Sequence, residues 1–319
     1  MIHVEHLRKN FGKVRAADDI SFDVAKGEVV GLLGPNGAGK TTTMRIITGF
    51  LPADDGLVTI DGKEVVRNGL ETRALIGYLP ENAPLYTDME VTEYLKYIGS
   101  LRGIKSKEMK ERIFEMVETC GLASVAGRTI GELSKGFRQR VGLGAAMIHH
   151  PPVLILDEPT TGLDPNQINE IRNLIKQIGK HRTVMLSTHI LQEVQATCSR
   201  AIIINRGKVV AKGTLDELKK RSSGKSSYTV SVRGSKEEIA GKLEGLGLTV
   251  DSWLSNETDH VQRVNLAGDG GADHSEDIFN WAVTHNLTLS ELKRETATLE
   301  DVFRDLTHNK TDEASASSI

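Results

Sequence analysis

The sequence predicts an α/β domain with a mainly parallel sheet, followed by a smaller α+β domain. In the first part, short apolar runs alternate with helical patterns, which is typical of parallel sheets covered by helices. One of these runs, Val29–Leu33, enters a glycine-rich loop, and a helical pattern at Thr41–Thr48 follows the loop. After residue 221 the composition changes and strands no longer alternate singly with helices.

The composition is that of an ordinary folded protein. The chain has 319 residues, 39% hydrophobic and 26% charged, which suggests two domains. No apolar run approaches the ~18 residues of a membrane span, and the first residues do not resemble a secretory signal. Cys120 and Cys198 fit no metal-binding spacing. We therefore expect two reduced thiols in a cytoplasmic protein.

The first domain is expected at residues 1–221. Val153–Leu156 and Val184–Ser187 have the length and composition of buried strands. Between the glycine-rich loop and these strands, Thr92–Leu101 and Lys107–Cys120 have helical patterns, the second with its apolar residues on one face. We therefore expect a helical subdomain, at about residues 82–145, inserted into the α/β core.

Charge and composition mark the boundary between the two domains. Residues 1–221 contain 31 Lys and Arg against 26 Asp and Glu, whereas the rest contain 9 against 17. All eight prolines lie at or before Pro165, and both tryptophans, Trp253 and Trp281, lie in the last third. Residues 222–227 are small and polar, which predicts a flexible linker. Because the second part is acidic, no nucleic-acid partner is expected.

The second domain is expected at residues 228–307. Its order, βαββαβ, indicates a small ferredoxin-like unit. Leu299–Leu306 predicts a closing helix, and the polar residues 308–319 predict a disordered tail. The six elements are expected at Tyr228–Val232, Lys236–Leu246, Val250–Leu254, Val261–Leu266, Glu276–Val283 and Leu287–Leu292.

The glycine-rich loop Gly34–Thr41 matches G-x-x-x-x-G-K-[ST] at every position. Such a loop turns backbone N–H groups toward phosphate oxygens, and the helix that begins there adds the positive end of its dipole. Lys40 is expected to reach the β- and γ-phosphates of ATP, and the Thr41 hydroxyl is expected to bind Mg²⁺. The expected ATP-binding residues of this segment are Asn36, Gly37, Ala38, Gly39, Lys40, Thr41 and Thr42.

A second candidate site follows the apolar run Val153–Leu156, which ends in Asp157 and Glu158. Asp157 is in a position to hold Mg²⁺, directly or through water. Glu158 is in a position to polarise the attacking water as a general base. The pair alone does not establish catalysis, because acidic residues are also common in the turns that follow strands.

Three further segments resemble motifs of ABC transporter ATP-binding subunits. Leu133–Arg140, LSKGFRQR, resembles the family signature, usually L-S-G-G-Q, and precedes Asp157 by about twenty residues. Pro159–Asp164 resembles the family's D-loop, and Leu186–His189 resembles its H-loop. The motifs cover the chain from about Ile2 to Glu217. The resemblance implies a P-loop NTPase fold of the ABC cassette type, which binds and hydrolyses ATP.

The signature segment departs from the family pattern at two positions. Lys135 and Phe137 stand where glycine and glutamine are usual, whereas Ser134 and Gly136 are kept. In the family, the residues at the positions of Ser134, Lys135 and Gly136 face the γ-phosphate of an ATP held by the partner cassette. The positive end of a helix suits that contact. The resemblance therefore implies that two cassettes enclose two ATP molecules.

Four other residues receive roles from the resemblance. Phe11 matches the aromatic residue that stacks on adenine, although a phenylalanine at a strand end can also belong to the core. His189 matches the residue that contacts the γ-phosphate and the attacking water, and Asp164 matches one at the interface between cassettes. Glu81 stands at the position of the Q-loop glutamine. A carboxylate thus replaces an amide and becomes a third candidate ligand for Mg²⁺.

The implied function is that of the ATP-hydrolysing subunit of an ABC transporter. A homodimer, or a paired cassette, would use ATP and Mg²⁺ to power a separate multi-span permease from the cytoplasmic face of the membrane. Pro80-Glu81, the signature and Leu299–Phe303 resemble the ABC-2 exporter branch, including its gliding-motility-type ATPases. The alternative is a soluble ABC ATPase that acts on nucleic acid or ribosomes. Such proteins usually carry two cassettes or a long coiled-coil insertion, which this sequence does not show.

Overall fold

The computed structural model describes residues 1–222, 225–243, 246–255, 261–269, 273–295 and 299–308. It divides into two compact units after Thr214. The strands of the first unit are β1 (Ile2–Phe11), β2 (Val14–Val24), β3 (Val29–Leu33), β4 (Asp55–Ile60), β5 (Lys63–Glu64), β6 (Ile76–Leu79), β7 (Val153–Asp157), β8 (Thr183–Thr188), β9 (Arg200–Asn205) and β10 (Lys208–Thr214). Its helices are α1 (Lys40–Ile47), α2 (Gly69–Ala74), α3 (Val91–Leu101), α4 (Ser106–Thr119), α5 (Lys135–Met147), α6 (Pro165–Gly179) and α7 (Leu191–Thr197).

The main sheet of the first unit has the strand order β10-β9-β3-β8-β7-β6. The pairs from β9 to β6 are parallel, and only the edge strand β10 is antiparallel. Every residue of β7 and β8 is buried, as expected for parallel strands covered on both faces. The predicted mainly parallel sheet is confirmed. Its carboxyl edge is where the loops after β3, β6, β7 and β8 meet.

A second, antiparallel sheet, with the order β2-β1-β4-β5, was not predicted from the sequence. Its inner face shares one core with the main sheet and with α1. Ile2, Val4 and Phe22 of this sheet lie in the same buried cluster as Met44 and Ile47 of α1. This core fixes the helix that follows the glycine-rich loop against both sheets.

Helices α3, α4 and α5 stand between β6 and β7 in the chain, as expected of the inserted helical subdomain. Met116 and Val117 of α4 are buried, as the sequence pattern predicted for that face. Ser134 precedes α5 and its hydroxyl accepts a hydrogen bond from the N–H of Phe137 at 3.4 Å. Such an N-cap satisfies one of the free N–H groups at the start of the helix.

The second unit contains an antiparallel sheet with the order β12-β13-β11-β14. The first and third strands are adjacent in the centre, which is the ferredoxin-like arrangement that the sequence predicted. Tyr228, Val230, Ile278 and Trp281 belong to a core of its own. The elements are α8 (Leu215–Ser222), β11 (Lys225–Arg233), α9 (Lys236–Leu243), β12 (Thr249–Ser255), β13 (Val261–Asp269), α10 (Ser275–Thr284), β14 (Thr288–Glu295) and α11 (Leu299–His308).

The predicted linker at residues 222–227 is wrong for its described part. Ser222 ends α8, and residues 225–227 pair with residues 269–267 of β13 as the start of β11. Small polar residues can form a strand where a neighbour supplies hydrogen bonds, and β13 pairs with all three of these residues while β14 pairs with Ser227. Residues 223–224, 244–245 and 309–319, the last within the predicted disordered tail, lie outside the described residues.

We propose that the two units fold independently, because each has its own buried core. Both tryptophans, Trp253 and Trp281, lie in the second unit, so their fluorescence reports the unfolding of that unit. ATP with Mg²⁺ should raise the thermal midpoint measured by far-UV circular dichroism, since a ligand at 100 times its Kd stabilises its domain by about 2.7 kcal/mol. The tryptophan midpoint should stay unchanged. An equal rise in both midpoints would show that the units unfold together.

Candidate active site

A cavity of about 450 Å³ lies at the carboxyl edge of the main sheet. The glycine-rich loop and the start of α1 form one side, and residues that follow β6, β7 and β8 form the other. Val14, Ala16 and Thr161 line the cavity without having been predicted. The predicted residues that line it are Asn36, Gly37, Ala38, Gly39, Lys40, Thr41, Thr42, Glu81, Glu158 and His189.

Gly39 closes the loop at the start of α1. Its φ is 103°, in the left-handed region that side chains disfavour. A Cβ on Gly39 would also lie 2.1 Å from the carbonyl oxygen of Ala16 in β2. No other residue fits there without moving one of the two segments. This close approach explains why β2, a strand of the antiparallel sheet, supplies part of the cavity wall.

Lys40 lies at the bottom of the cavity and is only 6% exposed. Its Nζ donates to the carbonyl oxygens of Gly34 at 2.8 Å and Pro35 at 3.2 Å. The same ammonium lies 3.3 Å from Oε1 of Glu158. A buried cation needs such partners, because an unpaired buried charge is strongly unfavourable. The ion pair therefore joins the loop after β3 to the residue after β7.

Glu158 is held by contacts from the end of β8 and from its own loop. Its φ is 47°, an uncommon conformation for a residue other than glycine. Its N–H donates to Oγ of Ser187 at 2.9 Å. Its Oε2 lies 2.9 Å from Nδ1 of His189 and accepts from the Thr161 hydroxyl at 3.3 Å. Since an ionised carboxylate can only accept, Nδ1 carries the hydrogen of this contact.

Asp157 and Thr41 meet behind the cavity. The Thr41 hydroxyl donates to Oδ1 of Asp157 at 3.2 Å, and the Ser187 hydroxyl donates to the same oxygen at 2.6 Å. Asp157 is 1% exposed, and this burial raises the pKa of its carboxyl group. A hydroxyl and a carboxylate oxygen are ligands that Mg²⁺ accepts, with phosphate and water oxygens in its remaining positions. The residues therefore fit the ion.

No cluster of three or more His, Cys, Asp or Glu in the described ranges could hold a metal. A magnesium site completed by substrate does not need such a cluster, because Mg²⁺ is usually bound through one or two carboxylates together with phosphates. Glu81, the third candidate ligand, follows β6 and lines the same cavity. Both predicted acidic ligands, Asp157 and Glu81, therefore lie near the glycine-rich loop.

The signature residues and the end of the D-loop, Gly162 and Asp164, do not line this cavity and lie close to each other. A Cβ on Gly136 would come within 2.7 Å of the Gln167 side chain of α6, and one on Gly162 within 2.2 Å of Nζ of Lys135. Asp164 caps α6 by accepting from the N–H of Gln167 at 2.9 Å. Like Asp164, the signature residues are absent from the cavity lining. Ser134, Lys135 and Asp164 are exposed and form a separate surface at the starts of α5 and α6, whereas Gly136 is buried beneath it.

Phe11 ends β1 and is 50% exposed. The alternative that it is a core phenylalanine is therefore wrong, because its ring faces solvent. Nζ of Lys9 lies 5.8 Å from the ring centroid. Phe11 does not line the cavity, although Val14 of the adjoining strand does. Its stacking role stays a prediction.

Comparisons with known proteins identify the family. The ABC transporter family profile matches residues 17–161. The uncharacterized ABC transporter ATP-binding protein YxlF of Bacillus subtilis (strain 168) is 35% identical over 308 residues, which cover 97% of this chain and 100% of the relative. The chain belongs to the ABC transporter ATP-binding proteins. The linearmycin resistance ATP-binding protein LnrL of the same organism is 34% identical over 312 residues, 96% of this chain and 98% of the relative.

Solved ABC cassettes have the same fold. A dimeric bacterial ABC transporter cassette is 25% identical, with a TM-score of 0.62 over 67% of this chain and 99% of that cassette. The fold class and the ATPase class predicted from the sequence are thereby confirmed. No helix within the described ranges of this ABC protein is both long and apolar enough to cross a membrane.

The burial of Asp157 predicts how its substitution changes the stability of the nucleotide-free ABC cassette. Because its pKa is raised on folding, the stability that Asp157 contributes is lost as the pH rises through the folded pKa. The Asp157→Asn variant has no charge to bury, so it does not lose this stability at high pH. Its amide oxygen can still accept a hydrogen bond from the Ser187 hydroxyl. At pH 8 the variant should melt about 2–4 °C higher than wild type, the shift that roughly 1 kcal/mol produces in a domain of this size.

The difference should shrink as the pH falls toward the unfolded pKa of about 3.9. Thermal melts from pH 8 down to about pH 4, without nucleotide or Mg²⁺, measure this difference. A variant that melts below wild type by the same amount at every pH would contradict the account.

Proposed function

We propose that this chain is the ATP-hydrolysing subunit of an exporter and that two copies close around ATP to drive a separate membrane permease. The observation that carries the proposal is the meeting of Lys40, Glu158 and His189 at one cavity. The three residues follow three different strands of the parallel sheet. A cation, a carboxylate and an imidazole in that arrangement suit phosphoryl transfer to water.

Binding of ATP depends on the segment from Asn36 to Thr42. Its backbone N–H groups and the start of α1 bind the phosphates, and Lys40 exchanges its contacts with the loop carbonyls for phosphate oxygens. Thr41 and Asp157 would hold Mg²⁺, with Glu81 as the third candidate ligand, and the bound ion would offset negative charge on the phosphates. Phe11 at the end of β1 stacks on the adenine.

Hydrolysis depends on Glu158. Its carboxylate accepts a proton from a water whose oxygen forms a bond to the γ-phosphorus, while the bond from that phosphorus to the bridging oxygen breaks and ADP leaves. His189 donates to Glu158 through Nδ1, so it orients the base, and it contacts the γ-phosphate. Ser187 holds the backbone of Glu158 in its left-handed conformation. The carboxylate therefore needs little movement to act as a base.

Dimer formation gives a role to the surface at the starts of α5 and α6. Ser134 and Lys135 are exposed at the N-terminus of the 13-residue helix α5, where phosphate oxygens are favoured. Together with Gly136 they complete the ATP site of the other copy. Asp164 lies at the interface between the copies. A dimeric structure of a similar cassette supports this arrangement.

Glu158→Gln tests this mechanism, because it keeps the shape of the side chain and removes the base. Turnover should fall by about 10²-fold or more. Binding of ATP should persist, and the unhydrolysed ATP should hold a dimer that light scattering detects. Lys40→Ala is the matched variant that should lose ATP binding as well. Wild-type turnover in Glu158→Gln, or a monomer with bound ATP, would contradict the proposal.

A second cavity of about 620 Å³ in the first unit is the proposed contact site for the permease. Its walls include Pro84, Leu85 and Leu101, and the Leu101 side chain is 67% exposed to solvent. The segment that begins with Glu81 at the ATP cavity continues through residues 82–85 along this second cavity. One short segment thus contacts both cavities. A helix of the permease, bound on the cytoplasmic side of the membrane, would sense ATP through it.

Export as the direction of transport is supported by two similarities. One relative is named for linearmycin resistance, and the motifs resemble the ABC-2 exporter branch. The transported molecule is chosen by the permease in this proposal, so the residues of the ATP cavity do not select it.

Leu101→Asp should prevent assembly with the permease while ATP turnover of the isolated chain changes less than about twofold, since a charge at an exposed apolar contact mainly weakens association. Phe114→Asp is the control, because Phe114 is similarly exposed at 66% and does not line the second cavity. Co-purification of each variant with the membrane protein, followed by an ATPase assay, measures both effects. Normal assembly of Leu101→Asp, or equal loss in both variants, would place the contact elsewhere.

A further inference from the structure

A buried carboxylate outside the ATP cavity contacts both loops that carry the proposed catalytic residues. Glu193, in the first turn of α7, is 2% exposed and does not line the cavity. Its Oε2 accepts from the Thr188 hydroxyl at 2.6 Å, and its Oε1 accepts from the Thr160 hydroxyl. Nη2 of Arg172 lies 3.8 Å from Oε1 of Glu193, so the guanidinium offsets part of the buried charge. Glu193 is therefore a buried, hydrogen-bonded carboxylate that has no role in the proposed hydrolysis.

The two threonines place Glu193 next to the catalytic pair. Thr160 follows Glu158 by two residues, and Thr188 immediately precedes His189. The Thr188 hydroxyl also accepts from the N–H of Ile190 at 3.0 Å, so it fixes the backbone on both sides of His189. Thr160 and Thr188 are 4% and 0% exposed, and water does not replace these contacts. The carboxylate of Glu193 thus bridges the loop after β7 and the end of β8.

The backbone of Glu158 explains why such a bridge is required. A residue other than glycine at φ 47° is unfavourable and persists only where its surroundings hold it. Ser187 holds the N–H on one side of Glu158, and Thr160 is held by Glu193 on the other. The contact of 2.9 Å between His189 and Glu158 depends on both loops keeping this spacing.

We propose that Glu193 is a positioning residue that holds Glu158 and His189 in the geometry for hydrolysis; this rests on the catalytic roles proposed above. Arg172 extends the bridge to α6, the helix whose N-cap is Asp164.

Thr160→Val and Thr188→Val test the proposal, because each removes one hydroxyl from Glu193 at almost constant volume. Turnover, kcat, should fall by about 10-fold or more, since small displacements of catalytic groups cost up to about 10²-fold. The KM for ATP should change less than threefold, because neither threonine lines the cavity. Thr160→Ser and Thr188→Ser keep the hydroxyl and should restore most of kcat.

Thr72→Val is the matched control, because Thr72 is fully buried on α2 and its hydroxyl donates to the carbonyls of residues 68 and 69 of its own helical turn. Its kcat should equal that of wild type even if its melting temperature falls. Wild-type kcat in the two valine variants, or a loss that serine does not rescue, overturns the positioning role. Wild-type turnover in Glu158→Gln overturns the catalytic assignment instead, so the two failures are distinguishable.

Discussion

Parallel pairing of β3, β7 and β8 is the constraint on which the whole candidate site depends. Their register aligns Leu33 with Thr188 and Asp157 with Ser187. The chain therefore leaves all three strands at the same edge, and residues more than a hundred positions apart become neighbours. Lys40, Glu158 and His189 meet because each lies in the segment that follows one of these strands. The antiparallel sheet and α1 share a core with the main sheet and keep the glycine-rich loop in place.

Hydroxyl groups donate to two buried carboxylates in and beside the site. Asp157 accepts from Thr41 and Ser187, and Glu193 accepts from two further threonines. Neutral donors satisfy a buried carboxylate without cancelling its charge. The two hydroxyls favour the charged form of Asp157, whereas burial raises the pKa of its carboxyl group. Lys40 is different, since its ion pair with Glu158 must open when phosphate oxygens arrive.

The sequence predicted the cavity residues where a local motif and a strand end coincide, as at Lys40, Glu158 and His189. It did not predict Ala16, because that residue reaches the loop only through the pairing of β2 with β1 in a separate sheet. Glu193 carries no motif either. Its role follows from the register of β7 and β8, which places Thr160 and Thr188 together and which no spacing along the chain shows. Residues 225–227 read as a linker because their β-strand depends on partners in β13 and β14.

Hydrogen–deuterium exchange of the full chain, with and without ATP and Mg²⁺, tests most directly whether nucleotide binds at the carboxyl edge of the parallel sheet. The Glu158→Gln variant keeps ATP intact during the measurement. The account predicts slower exchange for the amides of residues 34–42 and for the segments that follow β7 and β8, since bound groups no longer open to solvent. Amides of the ferredoxin-like unit should exchange at unchanged rates. Slower exchange confined to the second unit, or unchanged exchange in residues 34–42, would contradict nucleotide binding at this edge.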